Sequence, residues 1–165
     1  MTATAADLRE VVAAVPDPEI PVIGIDDLGI LRAVEVDEHG HVDVTITPTY
    51  SGCPAMEAIQ ADVRTALARH GHHDVTVRLV LSPAWTTDWI TPHGRCLLEE
   101  YGVAPPAARA ADRAAGGPMA LTLSVRCPQC GSPDTRELSR FGSTACKSLW
   151  SCNACREPFD HFKTL

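Results

Sequence analysis

Four of the seven cysteines in this chain occur as two Cys-x-x-Cys pairs, Cys127 with Cys130 and Cys152 with Cys155, and 21 residues separate the pairs. Each pair can turn two thiolates toward one point, and the two pairs together complete a tetrahedral shell of four sulfurs, the usual ligand set of structural zinc. Two disulfides or a four-iron cluster on the same thiolates are the alternatives. The spacing predicts a zinc ribbon with one zinc per chain, which by itself defines no function.

Cys53 is the fifth cysteine that could do chemistry, because it stands where a predicted strand ends and a predicted helix begins, between Gly52 and Pro54. Unpaired N–H groups and the positive end of the helix dipole at such a position lower the pKa of a thiol. We therefore expect Cys53 to be a functional thiolate that alkylates faster than Cys96 at neutral pH. The alternative is a buried, inert cysteine under the helix. For Cys146, both packing and a redox-sensitive thiol remain open.

A loop rich in carboxylates and proline precedes the first predicted strand. Four acidic residues lie within eleven positions: Asp17, Glu19, Asp26 and Asp27. Carboxylates beside a thiolate could bind a hard or borderline metal ion or orient a partner, whereas plain solvation is the alternative. No set of nucleophile, base and orienting residue can be assembled around Cys53, and the chain contains no glycine-rich phosphate loop. The residues are therefore more typical of a metal-handling or interaction protein than of an enzyme.

The composition limits the size of the fold and the compartment. A chain of 165 residues accommodates one ordinary domain and a small appendage, and 45% hydrophobic with only 5% aromatic residues predicts an aliphatic core. The N-terminus lacks the pattern of an export signal, and no apolar stretch is long enough to span a membrane. Seven cysteines without an export signal indicate a reducing compartment. We therefore expect a cytoplasmic protein without a membrane partner.

Charge is unevenly distributed along the chain. Residues 1–120 contain eight basic and 17 acidic residues, a formal charge of −9, whereas residues 121–165 contain six and four, a formal charge of +2. Proteins that bind nucleic acid need a basic surface to replace the counterions of phosphate groups. The larger part of this chain repels such a polyanion, so the sequence disfavours a nucleic-acid partner.

The elements that must position these residues follow from hydrophobic periodicity. Helices are predicted over residues 4–14, 54–70 and 92–101, and strands over 30–36, 42–48 and 74–81, with a turn at 37–40. This order predicts an α/β (α+β) domain with a small mixed three-stranded sheet. The Pro-, Ala- and Gly-rich stretch that follows is typical of a linker. The predicted organisation is a domain over 1–102, a linker over 103–120 and the zinc ribbon over 121–165.

Several short motifs identify a family. The motifs Asp17-Pro18-Glu19-Ile20-Pro21, Asp27-Leu28-Gly29-Ile30 and Ser51-Gly52-Cys53-Pro54-Ala55-Met56 resemble the iron–sulfur assembly domain of SufT-type proteins and of the eukaryotic cytosolic cluster-targeting factors. Further motifs narrow the match to one family. They are Ser82-Pro83-Ala84-Trp85-Thr86-Thr87-Asp88-Trp89-Ile90 and two motifs of the ribbon, over residues 141–147 and 155–160. The whole chain except the linker resembles the PaaD (PaaJ) family, the accessory subunits of ring-1,2-phenylacetyl-CoA epoxidase systems in bacterial phenylacetate breakdown.

The resemblance implies a supporting role and no catalysis. Members of this family are thought to assist maturation of iron or iron–sulfur centres in the oxygenase or the reductase of the epoxidase system. It also implies that Cys53 is the functional thiol, a transient iron or cluster ligand, with Asp17 and Glu19 near it. A homodimer would bring two copies of Cys53 to a shared site. The alternative is a non-catalytic structural or docking subunit of the same complex.

Overall fold

The computed structural model describes residues 4–106 and 125–164. The chain divides into two compact units, Met1–Gly94 and Arg95–Leu165. This division lies before the predicted domain end at residue 102, because Val103 and Ala104 form a strand that pairs with the last strand of the ribbon. Residues 107–120 of the predicted linker lie outside the described residues.

The first unit contains a mixed three-stranded sheet, which confirms the predicted fold class. The order along the chain is helix α1 (Ala5–Ala13), strands β1 (Leu31–Val36) and β2 (Val42–Ile46), helix α2 (Ala55–Arg69), strand β3 (Val75–Leu79), a 3₁₀ turn (Thr87–Trp89) and helix α3 (Pro92–Glu100), in which the division between the units falls. In the sheet, β2 is central, antiparallel to β1 and parallel to β3. The parallel pair is possible because α2 forms the crossover between β2 and β3.

The core of the first unit is aliphatic, as the composition predicts. Its buried side chains come from one face of β2, from the inner faces of α1 and α2 and from the loop before β1. They include Val42, Val44, Ile46, Leu8, Val12, Ile59, Val63, Leu67, Ile20, Ile23, Ile25, Leu28 and Ile30. Leu79 is predicted on the buried face of β3 but is 44% exposed. The difference arises because β3 is an edge strand, so only its central part is covered by α2. Alternation within a strand does not reveal where the strand lies in its sheet.

The motif around Gly29 packs against the segment that contains Trp85 and Trp89. Trp85 is buried, and its Nε1 donates a hydrogen bond of 2.9 Å to the carbonyl oxygen of Leu28. Gly29 has φ +72°. A Cβ added at this position would lie 2.8 Å from the carbonyl oxygen of Trp89 and 2.5 Å from the Cβ of Trp89. Glycine is thus required at this position for two reasons, the positive φ of the backbone and the close approach of Trp89.

Replacing Gly29 with alanine should lower the free energy of unfolding of the first unit by about 3 kcal/mol, because the positive φ and the overpacking against Trp89 each cost about 1–2 kcal/mol. Gly40 is the matched control, since its φ is +84° and nothing lies within 4 Å of the added Cβ. The Gly40→Ala variant should lose only about 1 kcal/mol. Urea denaturation followed by circular dichroism measures both. Equal losses in the two variants would show that the contact with Trp89 contributes nothing.

The second unit contains a four-stranded sheet with the order β4-β7-β6-β5. Its strands are β4 (Val103–Ala104), β5 (Thr135–Ser139), β6 (Lys147–Cys152) and β7 (Pro158–Phe162), and only the short β4 pairs in parallel. One buried cluster in this unit consists of Ala104, Cys127, Cys152 and Phe159. Two of its four members are predicted metal ligands, so hydrophobic burial alone provides little of the ribbon's stability.

Within residues 4–106 and 125–164, no helix has both the length and the apolar composition that crossing a bilayer requires.

Candidate metal centre and thiol site

The two Cys-x-x-Cys turns of the ribbon have the same backbone geometry. In the first, the N–H of Gly131 donates to the carbonyl oxygen of Cys127 at 2.8 Å, and in the second the N–H of Arg156 donates to that of Cys152 at 3.0 Å. Gly131 and Arg156 both adopt positive φ, +72° and +69°. The repeated turn directs the sulfurs of each pair toward the other pair, which is the arrangement that the spacing predicts.

The four sulfurs lie close enough to share one ion. The Sγ atoms of Cys127 and Cys155 are 3.7 Å apart, those of Cys130 and Cys152 are 3.6 Å apart, and all four lie within 4.8 Å of one another. A tetrahedral ion with metal–sulfur bonds of about 2.3 Å holds its sulfurs about 3.8 Å apart. The cluster therefore fits a single tetrahedral metal ion. None of the cysteines is in a disulfide.

The electrostatics of the cluster favour a cation. A backbone N–H of Cys155 that donates to the sulfur lowers the pKa of Cys152 to about 7. For Cys155, the N–H of Glu157 lowers the pKa, but burial and the three neighbouring sulfurs outweigh it and raise the pKa to about 12. Four thiolates this close together repel one another unless a divalent ion neutralises them. A bound ion would supply folding free energy to a unit with a small core.

Cys53 occupies the turn that leads from β2 into α2. Its N–H donates to the carbonyl oxygen of Tyr50 at 3.2 Å, and Pro54 is the N-cap of α2, so Cys53 lies one residue outside the cap position. The sulfur accepts hydrogen bonds from the N–H of Ala55 and from the hydroxyl of Thr49, and both lower the pKa of the thiol. The helix terminus thus acts on Cys53 in the direction that the sequence predicts.

The pKa of Cys53 is nevertheless raised above its ordinary value, so the prediction of a lowered pKa is wrong. Burial of the half-buried thiol is the largest cause, and the negative charges of Glu19 and Asp17 add to it. Burial and two nearby carboxylates disfavour the thiolate more than the helix terminus favours it. The thiol, and not the thiolate, is therefore the favoured form of Cys53 at neutral pH.

The four carboxylates of the acidic loop separate into two pairs with different contacts. Asp17 is buried, and its Oδ1 accepts hydrogen bonds from the N–H groups of Glu19 at 2.8 Å and Ile20 at 2.9 Å, which fixes the loop. Its charge and that of Glu19 act on Cys53. Of the four carboxylates, Asp17 and Glu19 are thus the two whose negative charges raise the pKa of Cys53.

Asp26 and Asp27 make other contacts in the first unit. Asp26 accepts a hydrogen bond of 2.6 Å from Arg9 of α1. Asp27 accepts one from the hydroxyl of Thr91, which precedes α3, and its Oδ2 lies 3.1 Å from Nδ1 of His93. These two carboxylates therefore fasten helices to the loop, and neither is among the groups that shift the pKa of Cys53.

The remaining thiols differ in exposure. Cys96 is exposed, whereas Cys146 is buried and its Sγ lies 3.0 Å from the hydroxyl oxygen of Thr144. The burial of Cys146 agrees with a packing role.

Thr47, in the segment between β2 and Cys53, is 1% exposed, and its hydroxyl has no hydrogen-bond partner among the described residues.

Alkylation rates test the corrected view of the Cys53 thiol. In the metal-loaded protein at neutral pH, Cys53 should react with iodoacetamide more slowly than the exposed Cys96, and its rate should increase with pH as the thiolate forms. Replacing Glu19 with glutamine removes a charge that raises the pKa, so the rate at Cys53 should rise about two- to fivefold. Glu10→Gln is the control. Mass spectrometry quantifies each site, and faster labelling of Cys53 than of Cys96 in the unaltered protein would contradict the raised pKa.

Two protein families match this chain. Residues 5–79 match the family described as iron–sulfur cluster assembly protein, and residues 112–163 match the PaaD zinc beta ribbon domain. The first match contains Cys53 with Asp17 and Glu19, and the second contains all four ribbon cysteines.

Individual relatives extend these matches to nearly the whole chain. A protein of Escherichia coli K12 named as a putative 1,2-phenylacetyl-CoA epoxidase subunit is 48% identical over 159 residues, which cover 96% of this chain and 92% of that protein. An Fe-S protein maturation auxiliary factor of Porphyromonas gingivalis is 37% identical over 53% of this chain and 84% of its own. The crystal structure of a DUF59 domain from Bacillus anthracis superposes with a TM-score of 0.53 at 28% identity, over 57% of this chain and 90% of that one.

Proposed function

The chain belongs to the PaaD family, and we propose that it is an accessory protein of the phenylacetyl-CoA epoxidase system that assists assembly of iron or iron–sulfur centres in the oxygenase or reductase subunit. The observation that carries this proposal is the Cys53 thiol under the negative charges of Asp17 and Glu19, within a segment that matches the iron–sulfur assembly family. The name of the Escherichia coli relative supports the client system, and the maturation factor of Porphyromonas gingivalis supports the activity. The protein acts on other proteins and catalyses no step of the pathway itself.

The chemistry of the thiol site suits a transiently held ferrous ion. The Cys53 sulfur is a donor for a borderline cation such as Fe²⁺, and the negative charges of Glu19 and Asp17 that act on it attract a cation. Because the thiol is protonated at rest, iron must displace a proton to bind, so the affinity increases with pH. The negative charges of Glu19 and Asp17, which disfavour the free thiolate, favour the complex with a cation.

An iron–sulfur cluster would need more thiolates than one chain offers at this site, since clusters are held by several cysteines. A homodimer would supply a second Cys53 through a two-fold axis. We therefore propose that a cluster, where one forms, bridges two copies of the chain, whereas a single chain holds iron alone.

The ribbon has a structural role in this proposal. Cys127, Cys130, Cys152 and Cys155 hold one zinc per chain, and the spacing of their sulfurs supports a tetrahedral ion. Free thiols in this number favour the cytoplasm. The partners are proteins, because the acidic N-terminal part of the chain disfavours nucleic acid.

Anaerobic titration of the zinc-loaded full chain with Fe²⁺ tests the proposal. The unaltered protein should bind iron with an affinity that increases about tenfold per pH unit below the pKa of Cys53, because one proton leaves per ion. Cys53→Ser should abolish this binding, and Cys96→Ser, at an exposed cysteine outside the site, should retain it. Iron binding by Cys53→Ser with the affinity of the unaltered protein would refute a role of the thiol in holding iron.

A further inference from the structure

The tip of the β5–β6 hairpin exposes large apolar side chains. Phe141 is 69% exposed, more than any other large hydrophobic residue of the described chain, and Leu138 is 46% exposed. Isolated exposed apolar residues are common, but an exposed phenylalanine at a hairpin tip with a second apolar side chain on the adjoining strand is not. We call Leu138, Arg140, Phe141 and Lys163 the hairpin surface.

The hairpin surface is built from an edge strand and fixed by specific contacts. β5 is an edge strand, and an irregularity between Glu137 and Ser139 leaves Leu138 without a partner in β6. Such bulges redirect a side chain away from the sheet. Nζ of Lys163 lies 4.8 Å from the centre of the Phe141 ring and donates a hydrogen bond of 2.9 Å to the carbonyl oxygen of Arg140. The exposed ring is therefore held in place with a cation against it.

The cations around this ring are available to a partner. Neither Arg140 nor Lys163 forms an ion pair with a carboxylate of the described residues. The ribbon's ion pair, Lys147 with Asp160 at 3.8 Å, involves a lysine that is only 5% exposed. An exposed aromatic ring with the Lys163 ammonium group against it and Arg140 next to it in the chain is complementary to an acidic surface that contains an apolar hollow.

We propose that the hairpin surface docks this protein onto an acidic segment of a client subunit, with Phe141 inserted into an apolar hollow of that subunit. The identity of the client rests on the proposed function, whereas the surface follows from the ribbon alone. A protein is favoured over nucleic acid because residues 121–165 carry a formal charge of only +2, whereas a nucleic-acid site needs a larger basic surface. In this arrangement the ribbon recognises the client, and the first unit handles the metal.

Binding of the zinc-loaded full chain to the purified oxygenase and reductase subunits, each measured separately at low and high salt, tests the inference. Replacing Phe141 with alanine should weaken binding to one of them about 30-fold, the loss typical of a central aromatic anchor. Replacing Arg140 and Lys163 together with glutamine should weaken binding chiefly at low salt, because exposed charges are screened at high salt.

The matched controls are Tyr101→Ala, an equally conservative loss of an exposed aromatic side chain in the same unit, and Arg64→Gln, an exposed cation of α2. Both should bind within about twofold of the unaltered protein. Undiminished binding by Phe141→Ala would overturn this inference and leave the proposed function in place. Binding of the unaltered protein to neither subunit would overturn both. If Phe141→Ala lost affinity for a single-stranded oligonucleotide and not for the subunits, the surface would be a nucleic-acid site and the inference wrong.

Discussion

Replacing Cys152 with serine should release the metal ion and unfold the ribbon sheet. The Cys152 side chain is fully buried, its sulfur lies 3.6 Å from that of Cys130, and it accepts a hydrogen bond from the N–H of Cys155. Binding of structural zinc by four such ligands provides about 10–16 kcal/mol. The few large apolar side chains of the ribbon core, Phe159 and Phe162 with the partly buried Trp150, cannot replace that contribution.

NMR spectra and zinc analysis of the full chain measure this effect. In Cys152→Ser, zinc should fall to well below one ion per chain and amide signals of residues 135–162 should lose their dispersion. The signals of residues 5–79 should persist, because we propose that the α/β domain folds without the ribbon. Cys146→Ser is the control, since Cys146 is also buried but is not a ligand, and it should keep its zinc. A Cys152→Ser variant that keeps both zinc and the sheet would refute the four-cysteine site, and loss of both units together would refute their independence.

Replacing Cys53 with serine should reduce epoxidation of phenylacetyl-CoA in cells to the level seen without this protein, while the protein itself stays folded. A serine hydroxyl does not ionise near neutral pH and is a poor ligand for iron, so the substitution removes the soft donor on which the proposed iron site depends. The side chain is only half-buried and similar in size, so the free energy of unfolding should change little.

Growth on phenylacetate and the rate of epoxide formation measure this effect, and Cys96→Ser is the control that should support normal rates. If Cys53→Ser supported the full rate, the thiol would have no role. The protein would then be the structural or docking subunit that is the alternative to a maturation factor.

The grouping of the four ribbon cysteines and the first sheet could be predicted from the sequence because both depend on short-range patterns. The Cys-x-x-Cys turns bring two sulfurs together within four residues, and the alternation of Val42, Val44 and Ile46 marks the buried face of β2. The exposure of Leu79 and the strand at Val103 and Ala104 depend on neighbours distant in the chain, β2 and β7. The hydrophobic periodicity within a segment contains no information about the exposure of Leu79 or about the strand at Val103 and Ala104.

The candidate thiol site likewise depends on contacts between distant parts of the chain, which the sequence does not reveal. The position of Cys53 before α2 is visible in the sequence, but its burial and the approach of Asp17 and Glu19 are produced by the fold, and they decide the direction of the pKa shift. Likewise, the sequence shows four carboxylates in one loop. It does not show that Asp27 bonds to Thr91, which is 64 residues away.

The most direct test of the maturation proposal is the iron content of the purified oxygenase and reductase subunits from cells that contain the unaltered protein, the Cys53→Ser variant or no such protein. We predict that one of the two subunits will be folded but short of iron or of its cluster in cells that contain Cys53→Ser or no such protein. The same subunit will be fully loaded in cells that contain the unaltered protein. Equal metal content in all three strains, together with lost epoxidation in the strain without the protein, would contradict the proposal.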